Sequence, residues 1–180
     1  MLARAFFDDP AWLWLFPDGE RRARVLPWLF RISFDVTTAD VFTTAGKVLG
    51  AARWLKPGQA PMHVGATLRA LVLTPLRLRE TTPQFLAFGR AVENMRLEVA
   101  PMPHWYLAGI GVDPAEQRHG VGGALLRPGL DAAIRDAVSA VLLTHNEANL
   151  PFYESHGFRI VREGPTPQGG PHAWALVRRP

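Results

Sequence analysis

The chain has 180 residues, 48% of them apolar and 20% charged, which is enough apolar surface for one compact domain with its own core. Its 20 Lys and Arg against 16 Asp and Glu leave a formal charge of +4, too modest a balance for a dedicated nucleic-acid binder. With no cysteine, a disulfide framework, a thiolate nucleophile and every Cys-ligated metal site are excluded, and a cytoplasmic address is expected.

The start of the chain reads as helical. Met1–Phe7 and Ala11–Phe16 flank an Asp8-Asp9-Pro10 turn, and Gly19–Phe34 carries Ala23, Leu26, Phe30 and Phe34 near helical spacing, with Pro27 as a kink. The run from Ala11 to Phe16 is too short to cross a bilayer, and Asp8 and Asp9 spoil a signal peptide, so no membrane partner is expected. Val41–Ala45 and Val48–Leu55 are β-rich runs joined by Gly46-Lys47, as in a hairpin. Residues 63–79 read as a helix broken near Pro75. Thr82-Pro83 then offers an N-cap and an early-turn proline for a helix whose Phe85, Phe88, Val92, Met95 and Val99 form a core-facing stripe.

From residue 101 the pattern alternates. Trp105–Val112 is a strand, Gly120–Ala137 a helix interrupted by Pro128, and Ala140–Thr144 an apolar strand, so these form a parallel β-α-β unit. Asn149-Leu150-Pro151 opens a short helix that Gly157 ends. Phe158–Glu163 and Ala173–Arg178 close the chain as a hairpin.

Gly120, Gly122 and Gly123 follow a strand and open a helix. Such a turn lets backbone approach an anion closely, and the first turn of the helix aims unpaired N–H groups and a positive dipole end outward. No Gly-Lys-Ser/Thr follows, so it is not a Walker loop. The segment Gln117-Arg118-His119-Gly120-Val121-Gly122 resembles the Gln/Arg-x-x-Gly-x-Gly/Ala signature of the GNAT superfamily of N-acetyltransferases. Asn149-Leu150-Pro151-Phe152-Tyr153-Glu154-Ser155-His156-Gly157-Phe158 resembles its second signature. The stretch from His104 to Pro180 is most similar to puromycin N-acetyltransferase-like members, and the start, Ala5 to Pro10, more loosely so.

The resemblance implies an α/β (α+β) fold with a mixed, mostly antiparallel sheet, one parallel splayed pair and helices on both faces. It implies a single domain, with residues 1–100 on the acceptor side and 101–180 as the acetyl-CoA-binding core. Acetyl-CoA would be the cosubstrate, with no metal. Ile110, Gly111 and Val112 would meet the pantetheine and thioester, and Gln117, Arg118, His119, Gly120, Val121, Gly122 and Gly123 would hold the pyrophosphate. Asn149 would touch the pantetheine or cap the following helix. Tyr153 would be the catalytic acid that protonates the departing thiolate.

The superfamily often places a basic carboxylate on the strand that here reads Ala140–Thr144, where no residue ionises. His145, His104, Glu147 or a water chain are the candidate bases. The family's opening strand is also missing, because Met1–Ala5 already reads as the first helix. Either that edge strand is lost or the start lies upstream; an open edge at Val41–Ala45 would then invite self-association, and a monomer or a homodimer is expected. The function implied is acetyl transfer to a primary amine of a small molecule, such as an aminonucleoside or antibiotic-like amine, with its pocket near Trp12, Trp14, Trp28 and Trp54. The alternative is a catalytically degenerate acetyl-CoA-binding module.

Overall fold

The computed structural model describes residues 1–34, 40–44, 46–59, 74–100, 103–166 and 169–180. The expected helix over residues 63–79 lies largely outside them, and its described part, 74–78, is helical. Three helices open the chain: α1 (Leu2–Ala5), α2 (Pro10–Leu15) and α3 (Gly19–Phe34), the last running through Pro27. The hairpin β1 (Asp40–Thr44) and β2 (Lys47–Leu55) follows, then α4 (Thr82–Val99). Next come β3 (His104–Val112), α5 (Val121–Arg135), β4 (Ser139–Thr144), α6 (Leu150–Ser155), β5 (Arg159–Pro165) and β6 (His172–Arg178).

The six described strands form one sheet in the order β1-β2-β3-β4-β6-β5. Among the described strands only β3 and β4 are parallel, as the connection through α5 requires. The β5–β6 hairpin folds back so that β6 pairs with β4 and leaves β5 at one edge, with β1 at the other. Among the described residues α1 is the first element.

Strand alternation sends neighbouring residues to opposite faces. Leu107, Leu142 and Trp54 pack with Leu125, Leu126 and Leu130 of α5, while Tyr106, Val141 and Leu55 pack with Val99 and Ala100 at the end of α4. Helices therefore cover both faces. A second core lies among the opening helices, where Leu15, Phe16, Leu26, Leu29 and Leu78 are surrounded by Trp12, Trp14, Trp28, Phe30, Phe85 and Phe88.

Two sequence expectations are corrected. Pro128 does not interrupt α5, which stays helical from Val121 to Arg135; the proline forgoes one i to i−4 bond, and burial of Leu125, Leu126 and Leu130 around it holds the helix in place. Thr82 is not the cap of α4 but lies inside its first turn behind a 3-10 turn at Arg79–Thr81, and its hydroxyl is buried without a partner.

Candidate active site

The site begins with an irregularity in β3. Arg53 of β2 pairs with Gly109, but the next residue, Trp54, pairs with Leu107, so Ala108 is an extra residue opposite no partner. Such a bulge bends the strand and shifts its side-chain parity. Ile110 and Val112 consequently pack on the α5 side with Leu107, while Gly111 faces the other way, where a Cβ would come within 2.7 Å of Leu2 in α1. Pairing between β3 and β4 ends at Leu107 and Leu142, although the strands continue to Val112 and Thr144. Beyond that point the strands are splayed, and one backbone edge of β3 has no strand partner.

The loop after β3 is pinned at both ends. The Gln117 side chain donates to the Val112 carbonyl at 3.3 Å, and Asp113 accepts from Ala115 N–H and pairs with Arg4 of α1. That guanidinium holds the Asp113 carboxyl below the usual carboxylate range. Arg118 and Gly120 both take left-handed backbone, with φ of 65° and 80°. Gly120 suits this conformation at no steric cost, whereas Arg118 is strained by about 1 kcal/mol or more. Successive amides in such a turn form a concave donor surface for anions. The Ala124 N–H donates to the Gly120 carbonyl at 3.1 Å as the first bond of α5, so the amides of Val121, Gly122 and Gly123 lack helical acceptors.

The splayed edge, this loop, α6 and the turn between α1 and α2 enclose a cleft of about 830 Å³. Of the residues expected to bind the cofactor, Ile110, Gly111, Val112, Gln117, Arg118, Gly120, Gly122, Gly123, Asn149 and Tyr153 line it together. His119 is exposed outside the lining, and the Val121 side chain turns into the core, leaving only its backbone for the role. The Asn149 side chain makes no cap bond; Asn146 does that work one turn earlier, accepting from Ala148 N–H at 3.1 Å.

Tyr153 is 6% exposed, packed against Phe152 and Phe158. Burial, with the Asp9 charge added to it, pushes its hydroxyl well above the usual phenol value, so it stays protonated. Gly122 serves this arrangement from the side: a Cβ there would meet the Phe152 ring at 3.1 Å. The glycine is thus a seat for Phe152 as well as an anion-facing amide.

None of the expected bases lies in the lining. His104 is at the opposite end of β3, with its Nε2 2.6 Å from Arg96. His145 sits against Phe88, with its Nδ1 3.1 Å from the His172 carbonyl, and burial lowers its pKa. Glu147 is exposed on the 3-10 turn before α6. Trp12, Trp14, Trp28 and Trp54 also stay out of the lining: the first three surround the opening-helix core, and Trp54 is buried under α5.

The structure adds residues that the sequence reading did not assign to the site: Arg4, Asp8, Asp9, Asn146, Phe152 and His156. Asp9 is half-buried, and its Oδ1 accepts the Ala11 N–H at 3.0 Å as the cap of α2. Burial raises its carboxyl above the usual value despite the amides that pull it down. The acidic pair before Pro10 was visible as a turn, but nothing local showed which cleft the turn would meet.

Several known proteins are similar to this chain. The N-alpha-acetyltransferase RimI of Mycobacterium tuberculosis is 42% identical over 66 residues, a stretch that spans 37% of this chain and 42% of RimI. A Corynebacterium glutamicum structure described as histone acetyltransferase HPA2 and related acetyltransferase shares the fold at 18% identity and a TM-score of 0.60, covering 99% of this chain and 87% of that one. PH1933 of Pyrococcus horikoshii does so at 14% identity and a TM-score of 0.53, covering 90% and 76%. The model of the acetyltransferase (GNAT) family matches residues 10–158, most of the chain and both signature segments, and the chain belongs to that family.

Proposed function

We propose that this protein is an acetyl-CoA-dependent N-acetyltransferase that transfers acetyl to a primary amine of a small molecule. The observation that carries the reading is the single cleft that gathers the unpaired edge of β3, the amides opening α5 and the Tyr153 side chain. When bound, the cosubstrate supplies the acetyl group as a thioester. The amides of Arg118 to Gly123 orient its phosphates, and the free edge at Ile110–Val112 suits an extended chain of alternating amides. A backbone N–H of that edge aimed at the acyl oxygen stabilises developing negative charge by about 3 to 4 kcal/mol. Tyr153 holds its proton for the departing sulfur, and burial keeps that donor neutral until it is needed.

The RimI match favours a second acceptor, the free α-amine at a protein N-terminus. The two acceptors, and the catalytically degenerate module, are separated by thiol release from acetyl-CoA in the presence of n-butylamine, spermidine, puromycin and an alanine-initiated peptide. Release with the first three supports the proposal, and release with the peptide alone supports the second acceptor. Acetyl-CoA binding without release from any of them refutes transfer and leaves the binding module.

A further inference from the structure

Resting on the acetyl-transfer reading, we infer that Asp9 is the carboxylate that receives the acceptor amine in its ammonium form and takes a proton from it. No residue of β4 ionises, and His104, His145 and Glu147 all lie outside the cleft lining. Asp8 and Asp9 are the carboxylates that do line it. Asp8 is exposed, where water would screen its charge and compete for its proton. Asp9 is half-buried, lines the cleft beside Tyr153, and its carboxyl is oriented by the Ala11 and Trp12 amides at the start of α2, so its charge is fixed where an entering cation would meet it.

The other ionisable groups of the cleft do not compete for this role. Arg4 is engaged by Asp113, Arg118 is a fixed cation of the glycine loop, and Tyr153 remains protonated. His156 has its Nδ1 bound near the Phe152 carbonyl at 2.8 Å, on the α5 side of the cleft beside Gly123. Burial makes the Asp9 carboxylate a stronger base than one in water, and it lowers the acidity gap to an ammonium brought beside it.

The protons balance. Asp9 accepts one from R–NH₃⁺; the nitrogen lone pair then forms the C–N bond as the C–S bond breaks. Sulfur leaves with the electron pair and receives the Tyr153 proton, and the phenolate recovers a proton from the acylated nitrogen. Asp9 returns its proton to solvent, so amide, thiol and one H⁺ are the products.

The test compares wild type with Asp9→Asn, whose side-chain oxygen can still accept the Ala11 bond. With the amine that wild type turns over best, Asp9→Asn is expected to lower kcat about 10² to 10³-fold. Acetyl-CoA affinity should not change, the acid limb of the kcat/KM profile should disappear, and Asp9→Glu should recover part of the rate. A kcat within about threefold of wild type with the acid limb intact overturns the assignment while the transfer reading stands. If wild type binds acetyl-CoA but releases no thiol, the transfer reading fails, and Asp9 is judged by carbon-detected NMR of the acetyl-CoA complex. A carboxyl midpoint that n-butylamine moves to lower pH upholds cation recognition, and an unmoved midpoint overturns it.

Discussion

Replacing Gly129 by alanine sets two effects of opposite sign against each other. In an exposed helix the change would stabilise by about 0.8 to 1 kcal/mol, because glycine is the poorer helix former. At this position a Cβ would lie 2.1 Å from Cε2 and 2.5 Å from Nε1 of Trp54. Normal contact is near 3.5 to 4.0 Å, so the indole or the helix must yield by about 1.5 Å. Trp54 is 4% exposed among Leu126, Leu130 and Leu142, which leaves the ring nowhere to go. Overpacking of this kind costs about 1 to 3 kcal/mol, and the overlap with a rigid ring puts it at the upper end. The net expectation is a loss of about 2 kcal/mol, or roughly 4 to 8 °C in Tm for a chain of this size. Thermal and urea unfolding followed by circular dichroism would measure it. Trp54→Phe in the same background should restore part of the loss through a coupling of about 1 kcal/mol or more. A Gly129→Ala protein as stable as wild type, or more so, refutes the packing argument.

Tyr153→Phe is expected to lower kcat about 10² to 10⁴-fold with acetyl-CoA affinity unchanged, as calorimetry and steady-state kinetics would show. Gly122→Val should displace Phe152 from its seat beside Tyr153, so kcat falls as KM for acetyl-CoA rises; a change in KM alone would return Gly122 to an anion-binding role only. The lowered Asp113 carboxyl stabilises the fold above the ordinary carboxylate value and loses that contribution as pH falls through the lowered one. Arg4→Ala should therefore flatten the acid side of the stability profile, measured as Tm between neutral pH and about pH 3.

Much of the frame was legible because it is local. Apolar runs and Gly or Pro punctuation placed every described strand to within a few residues, and the glycines at 120, 122 and 123 announced an anion-facing helix start. What escaped was non-local. The tryptophans of the opening helices read equally well as pocket walls or core, and only the packing of Trp12 on Phe16 and Phe30 and of Trp14 on Phe88 assigns them to the core. Thr82 had the composition of a cap, yet the 3-10 turn before it carried the chain into the helix one residue early. Asp9 announced a turn, and its place beside Tyr153 depends on α1 crossing β3 more than 100 residues away in sequence.

The unmatched Ala108 makes the cleft a matter of counting rather than chemistry. Ladder partners on β2 and β4 fix both ends of β3, so its last four residues, Gly109 to Val112, are shifted by the presence of one residue, whatever side chain that residue bears. Substitutions along this stretch can vary freely where they do not touch α1 or α5, whereas removing a single residue would restore the ladder. Ile110 and Val112 would keep the α5 face and Gly111 the α1 face, because their β2 partners Ala52, Gly50 and Ala51 already alternate in step with Leu107, and only the bend that the extra residue puts into β3 would go. A lineage carrying this fold can thus redesign the walls of its cleft by point substitution, whereas deleting the codon for Ala108 would straighten the strand that forms one of those walls.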